Sequence, residues 1–453
     1  MQKTNRNLII FWILAIIFLI GWYLFWQVKN NQEFQTIGSA IDFLPINELQ
    51  KEKYKTMASF AKYLFEKDGE EKNFMLLFQN DMELRPGGGY IGTFGILKMQ
   101  DGQVKELQMH DLSNFDGRIS DTVPPPYPMK EMLRIDSWKL RDSNYSPDFP
   151  ENAKKAEEFY RMGQGQENLV GIIAINSNVL ISFLKITGPV EIEGYPGTYD
   201  SENAILNLEY QVEQGYAKQG IERGERKSVM KLLAQEIEKK VFALNFSQKL
   251  KLAEIILEDL NRKDIQLYFK DQDLEEKAKL AGWDGSVDKN WRQDYLMLVD
   301  ANLGALKSDY YVRRLFSYTV DLSGEIPKAD LKISYKHTAK EKDWMTKDYL
   351  TYLRVFVPKN SWLVETKNLD EKRFGEELNK KYFASLFGVP LGQAKTVEFF
   401  YELPKNIAED YDLLIQKQSG SRAVAGEVTV INKNQNKKVY QIDLAKDWKL
   451  SEN

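Results

Sequence analysis

Apolar residues run unbroken from Leu8 to Trp26, LIIFWILAIIFLIGWYLFW, with no charge and no proline. At ~1.5 Å per residue such a run would span roughly 28 Å as a helix, close to the hydrocarbon thickness of a bilayer. Trp22, Tyr23 and Trp26 cluster at its end, where aromatic rings favour the membrane interface. Lys3 and Arg6 precede the run and Lys29 follows it. That charge difference favours a cytoplasmic N-terminus. The run ends in bulky aromatics rather than a small-residue cleavage site, which favours an uncleaved anchor over a signal peptide. The expectation is a cytoplasmic tail over 1–7, a single transmembrane helix over 8–27 and a cell-membrane location with the bulk of the chain extracytoplasmic.

Beyond this run the pattern changes twice. Residues 28–68 read as a membrane-proximal spacer ending in an amphipathic helix over Asn47–Phe65, where Leu49, Tyr54, Met57, Phe60, Ala61 and Leu64 recur near helical spacing. Residues 69–322 alternate short apolar runs with amphipathic helices, the signature of an α/β domain. Its strands are expected at Asn73–Asn80, Tyr90–Met99, Gln103–His110, Val170–Ile175 and Ile265–Phe269. Asp101-Gly102 is a hairpin signal between the second and third. Helices are expected after Pro150, over Ser201–Tyr210, Glu225–Phe242, Ser247–Leu260 and Leu274–Ala281. Residues 323–453 carry short β-type runs with turn residues between them, read as a separate all-β sandwich. One helix, over Glu371–Phe387, is expected within it.

Composition narrows the chemistry. Of 453 residues, 62 are Lys or Arg and 66 are Asp or Glu, a formal net charge of −4. This argues against a phosphate-backbone binder, so no nucleic acid is expected as a partner. The chain has no cysteine and two histidines, His110 and His337. Disulfides, thiolate metal sites and cysteine catalysis are excluded. His110 is read as structural and His337 as a surface residue. Any chemistry therefore rests on Asp, Glu and Arg.

Longer blocks carry a resemblance. NFMLLFQNDMELRPGGGYIGTFGIL, LRDSNYSPDFPENA, VGIIAINSNVLISFLKITGPVEI, YLRVFVPK and YDLLIQKQSG resemble a bacterial family called domain of unknown function 4012. The resemblance implies a membrane-anchored envelope protein and no established activity. A more remote resemblance is to the LytR-CpsA-Psr family, which transfers glycopolymers from a polyprenyl-pyrophosphate lipid to peptidoglycan. It rests on a buried strand leading to Asn80-Asp81, on Arg223-Gly224-Glu225-Arg226 before an amphipathic helix, and on IAINSNVLISFLKITGPVEI between them. It implies an α/β sandwich with a central mixed sheet. It also implies Asp81 as a ligand for Mg²⁺, and Arg223 and Arg226 on the pyrophosphate.

Two departures bear on activity. Where that family's Arg-x-Asp-Thr element is expected, this chain has GYIGT, with Gly92 at the carboxylate position. Its Pro-Arg-Asp meets Met109-His110-Asp111. Phosphoryl transfer relies on positioned positive charge, so the catalytic residues are left unassigned and the enzyme question stays open.

Arg85 is a further anion-site candidate, because Gly87, Gly88 and Gly89 beside it offer backbone N–H groups for a concavity. The alternative is a tight glycine-rich connection. Asp142 and Asp148 are polar groups near the expected cleft, Asp148 as a helix cap. Trp138 and Tyr145 are read as core residues or a sugar shelf. The functional expectation is binding or transfer of an envelope glycan or its polyprenyl-pyrophosphate carrier, with peptidoglycan and the membrane as partners. The competing expectation is a non-catalytic envelope scaffold or adhesion protein that uses the β-sandwich for protein contacts.

Overall fold

The computed structural model describes residues 41–42, 47–222, 225–409 and 411–451. The chain folds as two compact units, neither continuous in sequence. Of the described residues, the first takes those up to Phe78, Thr93–Asp111 and those within Gln166–Asp284; the second takes Gln79–Gly92, Leu112–Gly165 and those from Gly285 on.

The first unit is organised by β1 (Glu71–Arg85), β2 (Gly88–Gln100), β3 (Gln103–Asp111), β4 (Leu169–Asn176) and β7 (Ile265–Phe269), in the order β3-β2-β1-β4-β7. Strands β5 (Val190–Glu191) and β6 (Thr198–Tyr199) make a separate small hairpin. The β2–β3 turn holds Asp101 at φ 52° and Gly102 at φ 71°, the backbone a two-residue hairpin requires. Side chains alternate across a strand. Phe74 and Leu76, Leu97 and Met99, Ile173 and Ile175, and Ile265, Leu267 and Phe269 accordingly all enter one core.

Helices pack on that core, among them Glu48–Phe65, Asn178–Thr187, Ser228–Ala243, Phe246–Asn261 and Gln272–Ala281. Their apolar stripes face inward, as in Val229, Leu233, Ile237 and Val241 at every fourth position. Fully burying one such side chain contributes about 1.5–3 kcal/mol. Asn47, Asn245 and Asp271 cap their helices by accepting from backbone N–H groups three residues on.

The second unit pairs two six-stranded sheets across a shared core. One has the order β12-β15-β10-β9-β17-β18 and the other β13-β14-β11-β8-β16-β19. Their strands are β8 (Asp294–Asn302), β9 (Val312–Asp321), β10 (Lys328–His337), β11 (Tyr349–Pro358), β12 (Trp362–Lys367), β13 (Arg373–Glu377), β14 (Lys380–Val389), β15 (Ala394–Glu402), β16 (Asp412–Gln416), β17 (Ala425–Ile431), β18 (Lys437–Asp443) and β19 (Trp448–Ser451). Most neighbours are antiparallel, but β16 runs parallel to β8 and β17 parallel to β9. Tyr318, Leu331 and Val397 from one sheet and Leu353, Phe383 and Leu413 from the other fill the core.

The expected fold class is corrected. The described residues form a mixed α/β structure with several sheets, in place of a LytR-CpsA-Psr-like α/β sandwich with a central mixed sheet followed by a separate all-β module. The β2/β3 and β4/β7 ladders of the five-stranded sheet are antiparallel. The paired-sheet unit begins its strands at Asp294, not after 322, and draws in the β1–β2 tip and residues 112–165. Among the described residues no helix is long and apolar enough to cross a membrane. The run assigned to a transmembrane helix over 8–27, with the tail at 1–7, lies outside the described residues.

The helix expected over Glu371–Phe387 is instead the hairpin β13–β14, turning at Leu378 (φ 54°) and Asn379 (φ 57°). Its edge strand is solvated on both sides, so no alternation of apolar residues marked it. His337 is fully buried, with Nε2 3.1 Å from the Lys347 carbonyl oxygen. It closes strand β10, where alternation points it inward.

Candidate functional site

The glycine-rich segment lies in the second unit and is a packed joint. Arg85 ends β1 with 5% of its surface exposed. Its Nε donates to Asp142 Oδ1 at 2.9 Å and its Nη1 to the Asn302 carbonyl at 2.9 Å. The guanidinium also lies over the Tyr90 ring at 5.5 Å. Burial lowers the Arg85 pKa, but Asp142 and Glu83 more than offset that, so the net direction is upward. The neighbouring backbone is equally committed. Gly87 N–H donates to the Asn144 carbonyl, Asn144 Nδ2 to the Gly89 carbonyl and Gln418 Nε2 to the Arg85 carbonyl. A Cβ on Gly420, at φ 73°, would stand 2.9 Å from the Gly88 carbonyl carbon. Two backbones touch there, which explains the glycines. The anion-site expectation for Arg85 is therefore corrected, because its donors serve buried acceptors.

Asp142 is Arg85's partner, and Asp148 caps the helix Phe149–Met162 as expected. Trp138 Nε1 donates to the Asp142 carbonyl and buried Tyr145 donates to the Tyr127 carbonyl, which places both in the structural framework. Asp81 lies mid-strand in β1 rather than at a strand end. Among the described residues no group of three or more His, Asp or Glu side chains is placed to hold a metal ion. No step is derived through the Mg²⁺ that the resemblance implied.

The first unit gathers the other candidates. Arg223 lies outside the described residues. Arg226 is half-buried and donates from Nη1 to Glu213 at 3.2 Å. Glu213 sits in the π-helical turn Gln211–Gly215, a geometry often found at functional sites. Next in sequence, Lys227 reaches Asp111 Oδ1 at 2.9 Å and Thr93 Oγ1 at 3.4 Å. Thr93 and Asp111 are cross-strand partners at the β2–β3 end, and the Phe94 and His110 rings stack beside them at 4.6 Å. Lys227 is also the residue preceding the helix Ser228–Ala243, whose N-terminus has no side-chain cap. One corner thus joins two strand ends, a π turn and a helix start.

Sequence reading singled out Arg226 and passed over Lys227 and Glu213. The available signal was the adjacency of Lys227 to Arg226 just before the amphipathic run. Glu213, 13 residues upstream, carried none.

A second buried polar group in this unit was not foreseen. Ser182 donates to Asp259 Oδ1 at 2.9 Å, and Asn176 Nδ2 donates to Asp264 Oδ1 at 2.7 Å. The other oxygen of each carboxylate is buried without a hydrogen-bond partner. Burial, reinforced by Asp264, pushes the Asp259 carboxyl up to about 7.

No curated protein matches the chain. Among solved structures, a Legionella pneumophila protein named for nutrient binding is similar at 8% identity, covering 34% of this chain and 70% of its own, with a TM-score of 0.25. A Listeria innocua protein is similar at 14% identity over 48% of this chain and 80% of its own, with a TM-score of 0.27. At these values the likeness carries no argument about function. Residues 69–212, from β1 to the π turn beside Arg226, match the model of the bacterial family described as "Protein of unknown function (DUF4012)".

Proposed function

We propose that the protein binds an anionic envelope glycan or its polyprenyl-pyrophosphate carrier at the Arg226–Lys227 corner, without transferring it. The observation that supports this reading is the pair of adjacent cations at the uncapped start of a 16-residue helix. Helix N-termini favour anions through their unpaired N–H groups and the helix dipole. A guanidinium adds directional donors for phosphate oxygens.

Two departures separate binding from transfer. In the LytR-CpsA-Psr resemblance Gly92 stands where a carboxylate is expected and His110 where a catalytic Arg is expected. Asp111, next in sequence, accepts from the internal Lys227 ammonium. A ligand phosphate would meet cations but no arranged pair of carboxylates.

Native mass spectrometry of the full-length protein, purified from a bacterial host, tests the proposal. A co-purifying polyprenyl-phosphate or pyrophosphate mass is expected in wild type and absent from Arg226→Ala/Lys227→Gln. No such lipid in wild type, or its retention in the double variant, overturns it.

A further inference from the structure

The second unit carries a feature that the Arg226–Lys227 corner does not involve. Strand β12 is the edge of one six-stranded sheet and β13 the edge of the other. On them Trp362 is 67% exposed and Phe374 71% exposed. Between the two rings stands the Lys381 ammonium, 5.6 Å from the Trp362 ring centre and 5.9 Å from that of Phe374. In the β13–β14 ladder Phe374 stands opposite the buried Phe383, and Lys381 lies two residues from Phe383. Alternation therefore points Phe374 and Lys381 toward the inner side of their sheet. At the edge that inner side opens to solvent, and Trp362 meets them from the facing sheet.

Among the described residues Lys381 makes no ion pair. Glu376 is its cross-strand partner, but the Glu376 carboxylate lies 3.9 Å from Lys359 instead. Glu402 stands opposite Trp362 in the β12–β15 ladder, so among the described residues the cation that faces both rings is the Lys381 ammonium alone. An exposed tryptophan and an exposed phenylalanine flanking a lysine call for a ligand with flat C–H faces and a negative group.

Two observations argue against a folded protein or an added strand as occupant. The two rings offer on the order of 400 Å², about half of the ~800 Å² per partner of a stable interface. The β12 edge is interrupted by a bulge between Leu363 and Glu365, and β13 has only five residues. Bulges and short edges block strand addition.

We infer that the open flank between β12 and β13 is a binding site for an acidic polysaccharide. Sugar rings stack on Trp362 and Phe374, and a ring carboxylate or phosphate pairs with Lys381. This inference stands whether or not the Arg226–Lys227 corner binds a lipid-linked anion.

The test uses the full chain and a short oligogalacturonate, with the methyl-esterified oligomer as its uncharged counterpart. Calorimetry is expected to show saturable binding of the acid form. Trp362→Ala and Phe374→Ala each weaken it about tenfold or more, equivalent to about 1.4 kcal/mol. Lys381→Gln equalises the acid and ester forms. The positions are solvent-exposed or at the edge, so urea midpoints matching wild type confirm that the variants fold. Absence of binding at millimolar oligomer overturns the inference, as does equal wild-type affinity for acid and ester. Retained affinity in both aromatic variants does so too. A dimer on sizing that dissociates in Trp362→Ala, without sugar binding, would assign the flank to protein contact and reject the polysaccharide.

Discussion

Arg85 and Arg226 look alike in the sequence: each is a cation next to residues that suit an anion. In the folded chain they differ. Arg85 has a buried carboxylate and a buried carbonyl as partners. Arg226 is half-exposed and engages one carboxylate from a π turn. The first arrangement holds backbone segments together. The second places charge at a surface where a ligand can compete for it. What separates a structural arginine from a candidate binding arginine is the burial of its acceptors, not the glycines beside it.

The largest expected effect breaks the Arg85 side of this comparison. Arg85→Ala leaves Asp142 as a buried, unpaired carboxylate, which costs about 3–5 kcal/mol. Urea denaturation should show it. Arg226→Ala should cost under about 1 kcal/mol, in the range of partly exposed pairs. Equal losses would erase the distinction drawn between them. Next in size is Gly420→Ala. Its Cβ would press on the Gly88 backbone from a positive-φ position, a clash worth about 1–3 kcal/mol on the same transition.

A smaller effect compares two buried carboxylates. Asp294 in the second unit accepts from Tyr318, Tyr411 and the Tyr295 N–H, and burial still raises it to about 6. Asp259 in the first unit has one oxygen without a partner and is raised to about 7. A raised carboxyl pKa means that the folded state holds a proton the unfolded chain releases near pH 4. The stabilisation from that proton is complete below about pH 4 and is lost as pH rises to about 7. Asp259→Asn keeps the oxygen that Ser182 bonds and removes the charge. It should be more stable than wild type at pH 8, by on the order of 2 kcal/mol, and gain little at pH 4. Chemical denaturation at both pH values checks this. A variant less stable than wild type at pH 8 would show that Asp259 is ionised and satisfied.

Much of the first unit was legible because its elements announce themselves locally. Strand β7 falls where its apolar run does, and the helix Phe246–Asn261 begins at a capping box formed by Asn245 and Gln248. The second unit was less legible because its joints are long-range. The Leu84 N–H donates to Asp309, 225 residues away, and Gln418 reaches the Arg85 carbonyl across 333 residues. No local pattern shows that the β1–β2 tip belongs with strands two hundred residues later. The Glu371–Phe387 misreading has another cause. Charged residues at helical spacing fill β13, a solvated edge strand where burial imposes no alternation. Of the site, Arg226 was readable from its place before an amphipathic run. Its neighbours Asp111 and Thr93 come together only through strand pairing.

Calorimetric titration with farnesyl pyrophosphate, a short polyprenyl pyrophosphate, tests the central claim most directly. Wild-type protein should bind it saturably, Arg226→Ala/Lys227→Gln should lose at least about tenfold in affinity, or about 1.4 kcal/mol, and Lys381→Gln should bind like wild type. Equal affinity in wild type and the double variant, or no binding by wild type, would contradict the account.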